Sequence, residues 1–118
     1  LQSSTKSKGN EGEEKAVHFL KEKGFEIVER NFRFGKGEID IIAKDANTLV
    51  FVEVKARESL EYGLPEEAIT KRKILQLRKI AEAYLAEKEV NEETIRFDVI
   101  AILILGGGTQ ITHYENAF

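Results

Sequence analysis

The sequence predicts an α/β domain: a mixed β-sheet flanked by helices, in the order α-β-β-β-α-β-β. Two segments carry apolar residues at helical spacing, and five carry the β-branched and aromatic runs of strands. The second helical segment falls between the third and fourth strand runs, and a strand reached through a helix usually pairs in parallel. The remaining strands are joined by short turns, so the sheet is expected to be mixed, with a helix against each face. The 118 residues suffice for one core, and 42% apolar content with a single proline argues against disorder. One domain is expected over 10–118, behind a flexible tail over 1–9.

Each element has a local reason. Leu1–Gly9 is polar and small, whereas Asn10 is a suitable N-cap with Glu13 three residues on, so the first helix is expected from Glu11 to Lys23. Its stripe is Ala16, Val17 and Leu20, and Gly24 supplies the stop. Phe25 to Phe34 is β-branched and aromatic without clean alternation, and Gly35-Lys36-Gly37 closes it as a turn. Strands follow over Glu38–Lys44 and Thr48–Arg57, joined at Asp45-Ala46-Asn47, and Gly63 with Pro65 marks a loop. Thr70 is the expected cap of a helix from Lys71 to Glu89, whose stripe Leu77, Ile80, Ala81, Tyr84 and Leu85 keeps a helical period. Ile95–Leu105 is a strongly apolar strand, turned by Gly106-Gly107-Gly108 into a last strand near Gln110–Tyr114.

Composition excludes several chemistries. The absence of cysteine removes disulfide scaffolds, zinc ribbons and thiol catalysis, and leaves oxygen ligands with a hard metal. The longest apolar run, Val99 to Leu105, has seven residues, far short of a membrane span, and Leu1–Asn10 lacks a signal-peptide pattern. A cytoplasmic protein with no membrane partner is expected. The net charge of −3 does not favour nucleic acid, but it averages Glu-rich flanks with a basic segment. No acid lies between Glu67 and Glu82, while Lys71, Arg72, Lys73, Arg78 and Lys79 fall there.

The chemistry concentrates in Gly37-Glu38-Ile39-Asp40-Ile41-Ile42 and Phe51-Val52-Glu53-Val54-Lys55. Side chains alternate along a strand, so Glu53 and Lys55 share one face. With Ala46-Asn47 as a two-residue hairpin loop, Asp45 faces Thr48, Asp40 lies opposite Glu53 and Glu38 opposite Lys55. Opposed carboxylates repel, and a local rule broken without visible gain is a place to look for function. A divalent cation resolves the conflict, since magnesium takes one or two carboxylates, several waters and a substrate's phosphate oxygens. Asp40 and Glu53 are therefore candidate ligands of Mg2+ (or Mn2+), and Lys55 could hold the attacking water or offset transition-state charge. An E-x-K alone is far more often an ordinary ion pair, so the opposed Asp40 gives the motif its weight.

Asp40 with Glu53-Val54-Lys55 on two hairpin strands resembles the PD-(D/E)XK motif of restriction-endonuclease-like nucleases. More narrowly, the chain resembles the YraN family of uncharacterised, endonuclease-like proteins. The segments that carry this likeness are Gly12-Glu13, Glu29-Arg30-Asn31-Phe32-Arg33, Gly37-Glu38-Ile39-Asp40-Ile41-Ile42, Phe51-Val52-Glu53-Val54-Lys55-Ala56-Arg57, Arg96-Phe97-Asp98-Val99-Ile100 and Asn116-Ala117-Phe118. They cover nearly the whole chain beyond the tail. The resemblance implies a restriction-endonuclease-like sheet shared with archaeal Holliday junction resolvases, and it names no substrate. Ile39 stands where the nuclease motif has its proline, a departure that leaves the acidic set intact.

Two helical residues could join the site. Glu13 prolongs the stripe of the first helix, and similar nucleases carry a glutamate there as a ligand or water-holder. Alternatively Glu13 only caps the helix, worth about 0.3–1 kcal/mol. Lys71, Arg72 and Lys73 open the second helix, where the dipole disfavours cations unless an anion such as phosphate sits there. Lys73 lies on the apolar stripe and so points toward the sheet, though a solvated basic face is the plainer alternative. Arg33 and Arg57 flank the hairpin and could extend a phosphate track. His18 and His113 read as structural, and Asp98 is expected to pair with Arg96 or Arg30.

The function expected is a metal-dependent endonuclease acting on DNA, including branched or irregular DNA, with a homodimer as the form that cuts both strands. The alternatives are a nucleic-acid-binding module that does not cut and an assembly factor using an exposed C-terminal Ala117-Phe118.

Overall fold

The computed structural model describes residues 4–90 and 94–118. Helix α1 (Ser4–Glu22) leads into strands β1 (Glu26–Phe34), β2 (Gly37–Asp45) and β3 (Thr48–Arg57). A 3₁₀ turn at Pro65–Ala68 precedes α2 (Lys71–Glu87), and β4 (Ile95–Leu105) and β5 (Gly108–Tyr114) complete the chain. The strands lie side by side in the order β1-β2-β3-β4-β5. Only β3 and β4, separated by the α2 crossover, pair in parallel. This is the mixed sheet and element order that the sequence implies.

Strand alternation gives the sheet two apolar faces. Ile41, Ala43, Val50, Val52, Ile100 and Ile102 pack against Ala16, Val17 and Leu20 of α1. Ile39, Ile42, Leu49, Phe51 and Phe97 pack against Leu77, Ile80, Ala81 and Tyr84 of α2. Both helices lie close. A Cβ on Gly12 would stand 3.0 Å from Ala56 Cβ, and one on Gly37 would stand 2.7 Å from Ile80 Cδ1. Glycine at these two positions lets α1 approach β3 and α2 approach β2.

Some boundaries differ from expectation. The first helix begins at Ser4, so Asn10 is interior to it and no tail separates the helix from residue 4. Nothing over 4–10 forbids helix: no proline occurs, and Gly9 costs only about 1 kcal/mol against alanine. The expected tail at 1–3 lies outside the described residues. Thr70 caps α2 as expected, accepting from the Lys73 N–H at 3.1 Å. The helix stops two residues early, because Glu89 adopts φ 51° and the Val90 N–H turns back to the Leu85 carbonyl. The loop at Pro65 contains a helical turn. Among the described residues no helix is long and apolar enough to cross a membrane.

The far end of the sheet is fastened by Asp98, which is 0% exposed. Its carboxylate accepts from Arg96 (2.9 and 3.0 Å), His113 Nε2 (2.7 Å) and the Asn116 N–H (3.0 Å). Burial opposes its ionisation, but the His113, Arg96 and Asn116 bonds outweigh it and hold the carboxyl below its usual range. Lys23 Nζ can only donate, so His113 Nδ1 accepts its bond (2.8 Å) and Nε2 carries the proton given to Asp98. The Asn116 bond ties down the C-terminus. There Phe118 is half-buried and stacks on Phe97 at 5.2 Å, while Ala117 is exposed.

Candidate active site

The two-residue Ala46-Asn47 loop sets the β2–β3 register, with Asp45 paired to Thr48 and the ladder running to Ile41–Val52. Beyond that point the strands have different neighbours. Gly37–Ile39 of β2 stays paired with β1, whereas Glu53–Arg57 of β3 stays paired with β4. The sheet therefore opens as a fork, and Asp40 lies at its base. Its carboxylate takes the place of a main-chain acceptor, receiving the Val54 N–H at 2.8 Å. Glu53 is the residue that the hairpin register sets opposite it, close enough for its charge to act on the Asp40 carboxyl. Burial pushes the Asp40 carboxyl up to about 8, the Glu53 charge adds to the shift, and the Val54 bond opposes it.

Glu53 is 4% exposed and shares the α2 face with Leu49 and Phe51. Two ammonium groups meet it: Lys55 Nζ at 3.7 Å and Lys73 Nζ at 3.5 Å. The stripe position of Lys73 at the start of α2 thus does carry it to the hairpin. Arg57 continues the row Glu53–Lys55 at the end of β3, half-buried, and Lys71 and Arg72 are exposed at the α2 N-terminus. Arg33 is not gathered with them. It lies on β1 and pairs with Glu38 at 3.4 Å. Glu38 does not face Lys55, because the strands have parted; its partners are Arg33 and Asn31 (3.2 Å).

Glu13 is in the third turn of α1, so it is no capping residue. It is 9% exposed, and both carboxylate oxygens are engaged: Arg30 donates at 2.8 and 2.9 Å and Asn31 Nδ2 at 2.9 Å. Burial lowers the Arg30 pKa, but Glu14 and Glu13 outweigh it and raise the group above its ordinary value. Arg30 is therefore a clamp on α1. Glu13 meets the fork through Asn31 and Glu38, not by direct contact with Glu53.

Asn31 was not singled out by sequence. It adopts φ 54° within β1, a left-handed conformation that asparagine tolerates better than most residues. The flanking pairs Arg30–Ile41 and Phe32–Ile39 set Asn31 opposite Asp40. Residues two apart on a strand normally share a face. Here Phe32 packs toward α2 while Arg30 reaches Glu13 on α1, and Ile39 packs toward α2 while Ile41 packs toward α1. Both strands change face across the Asn31–Asp40 position. The missing alternation over Phe25–Phe34 was the available signal.

These donors fit a hard cation. Asp40 and Glu53 offer oxygen donors pressed together against their charge, which a proton or a cation can relieve. Among the described residues no three acidic or histidine side chains converge as a complete metal cage. A magnesium-type site completed by water and phosphate does not require one.

Comparison with known proteins agrees with the motifs. Residues 12–102 match the model of the uncharacterised protein family UPF0102. A UPF0102 protein of Persephonella marina is 46% identical over 111 residues, covering 94% of this chain and 92% of the relative. One from Caldicellulosiruptor saccharolyticus is 53% identical over 94 residues, covering 80% of each chain. One from Trichlorobacter lovleyi is 48% identical over 112 residues, covering 93% of this chain and 88% of the relative.

Proposed function

The chain belongs to the uncharacterised protein family UPF0102, and from its site we propose that it is a metal-dependent nuclease hydrolysing phosphodiester bonds in DNA. The observation that carries this is Asp40 against Glu53 at the base of the fork, with Lys55 and Lys73 on Glu53. The core gains nothing from two facing carboxylates, and the strand ladder is given up to make room for one of them. Asp40 and Glu53 would hold Mg2+ or Mn2+, which supplies Lewis acidity toward a phosphate oxygen and acidifies a water.

The chain's own residues orient the reaction. Lys55 would hydrogen-bond the attacking water and offset charge as its oxygen bonds to phosphorus and the bond to the leaving oxygen breaks. Lys73, with Lys71 and Arg72 beside it at the helix N-terminus, would seat the phosphate, and Arg57 would continue the track. Glu13, held by Arg30 and Asn31, would hold a water at the edge of the site. The cations Lys55 and Lys73 beside the acidic pair, with Arg57 further along β3, suit the phosphates of a nucleic acid, of which DNA is the one proposed.

The test is incubation with single-stranded, flapped and four-way DNA in magnesium or manganese. Cut products are expected, and they should vanish in EDTA and in Asp40→Asn. Cleavage that persists in Asp40→Asn would remove the site assignment.

A further inference from the structure

A groove of about 520 Å³ lies beside the fork, lined by Ile69, Ile74, Val99, Tyr114 and Phe118 with Glu66 and Glu115 among its walls. Strand register relates it to the candidate site. Val99 on its floor is the β4 partner of Glu53, and Tyr114 is the β5 partner of Val99, so one row across the sheet runs Glu53–Val99–Tyr114. Adjacent strands are about 4.8 Å apart, which puts Tyr114 roughly 10 Å from Glu53. On the helix side, Ile74 follows Lys73 directly. The groove therefore neighbours the proposed phosphate seat along α2 and along the sheet.

Its chemistry divides along its length. Lys73, next to Ile74, and Lys55, which like Lys73 meets Glu53, put positive charge on the side toward the fork, although neither lines the groove. The body is apolar and aromatic. The Tyr114 hydroxyl donates to Glu66 Oε2 at 2.8 Å, which fixes the ring, and the residue stays 38% exposed. Carboxylates in these walls repel a phosphate but accept hydrogen bonds from the amino edge of a base. A cationic end, flat apolar walls with a fixed aromatic ring, and acceptors beyond them match one nucleotide: phosphate, base faces and base edge, in that order. The volume lies within the range of small-ligand sites, about 300–1,000 Å³.

Resting on the nuclease reading for its phosphate end, we propose that this groove receives one unpaired nucleobase adjacent to the bound phosphate, with Tyr114 as its stacking platform. A base inside a duplex is held in the stack and cannot enter, so the substrate class is DNA with an unpaired or extrudable base: single strands, bulges, flaps or junctions.

The test measures binding alone, by fluorescence anisotropy of the full chain in EDTA. Three labelled hairpin duplexes serve as probes, one fully paired, one with a single bulged cytosine and one with an abasic bulge. The wild-type chain should bind the bulged cytosine about tenfold more tightly than the abasic bulge, as for one stacked base. Tyr114→Ala should reduce that ratio to about twofold or less, and Tyr114→Phe should keep most of it. If Tyr114→Ala melts early, Ala117→Trp, which fills the groove from an exposed position, should abolish the ratio in its place. Equal affinity for cytosine and abasic bulges overturns the groove, as does a ratio that survives both variants. A base-dependent ratio in a chain that never cuts would refute the nuclease and leave the groove. Cutting without such a ratio would do the reverse, and binding of none of the probes overturns both. If a second copy covers the groove instead, Tyr114→Ala would change the sedimentation mass without any base dependence, which also overturns the proposal.

Discussion

Replacing Asp40 with asparagine should make the metal-free protein more stable while removing its response to metal. The Asp40 carboxyl is raised to about 8, first by burial and then by Glu53. Between an unfolded value near 4 and about 8, the folded state therefore holds a proton that the unfolded chain has released. Stability falls as pH rises through that window. A shift of about four units at ~1.4 kcal/mol each sets a ceiling of roughly 6 kcal/mol. Lys55 and Lys73 screen Glu53 and the site is partly open, so about 2–3 kcal/mol is expected at pH 8. Asparagine removes the charge, can still accept the Val54 N–H, and can donate to Glu53 with its amide nitrogen. Urea unfolding in EDTA should show Asp40→Asn more stable than the parent by about 2–3 kcal/mol at pH 8 and nearly equal at pH 4.5. With millimolar Mn2+ the parent should gain stability and the variant should not. A variant that is less stable at pH 8, or a difference that does not change with pH, would refute the account of Asp40 and Glu53 as a frustrated pair.

Three further outcomes are expected. Asp98→Asn leaves Arg96 and His113 facing an amide in a fully buried site, so it should cost about 3–5 kcal/mol in urea unfolding. Because the Asp98 carboxyl is held low, its contribution is present above about pH 4 and lost as pH falls through its folded value, so the variant's acid-unfolding curve should be flatter. Ala46→Gly relieves alanine at φ 55° in the loop that sets the hairpin register, and should raise stability by about 0.5–1 kcal/mol without changing any cleavage pattern. Lys73→Ala should weaken DNA binding uniformly across sequences and reduce the slope of log affinity against log salt by about 0.9, as for one lost phosphate contact. An unchanged slope would take Lys73 out of the phosphate seat.

The order of elements along the chain, the mixed sheet and a helix on each face were legible because the apolar periods are strong and local, from Leu77–Leu85 on α2 to Ile95–Leu105 on β4. The hairpin pair was legible for the same reason. A two-residue loop fixes register, and register fixes which residue opposes Glu53. The reach of Lys73 followed from its place on the stripe. What escaped was whatever depended on backbone curvature. The start of α1 at Ser4 has no capping box, since Lys6 stands three residues beyond Ser3, so Asn10 with Glu13 gives the stronger sequence signal for a first turn. The fork itself has no marker in β3, whose alternation is regular throughout.

The mark of the fork lies on the other side of β2. A strand pair that stayed regular would keep residues 39 and 41 on one face, and residue 40 would lie on the other with its main chain tied into both ladders. Asn31, at φ 54°, breaks that rule opposite Asp40, and the faces exchange on both strands. Left-handed asparagine in a strand costs on the order of 1 kcal/mol, and the facing carboxylates add more. These two costs fall on directly opposed residues, and Asn31 spends its side chain on Glu13 and Glu38 rather than on the core. Strain and like-charge repulsion concentrated at one rung of an otherwise well-packed sheet are costs that the proposed cation site would account for. Asn31→Gly separates the two, because glycine keeps the left-handed backbone and loses the bridge. The fold should hold in urea within about 1 kcal/mol, while the Mn2+-dependent gain in stability falls. A full Mn2+ response in Asn31→Gly would make the kink alone sufficient and leave the Glu13–Asn31–Glu38 chain without a part in the site.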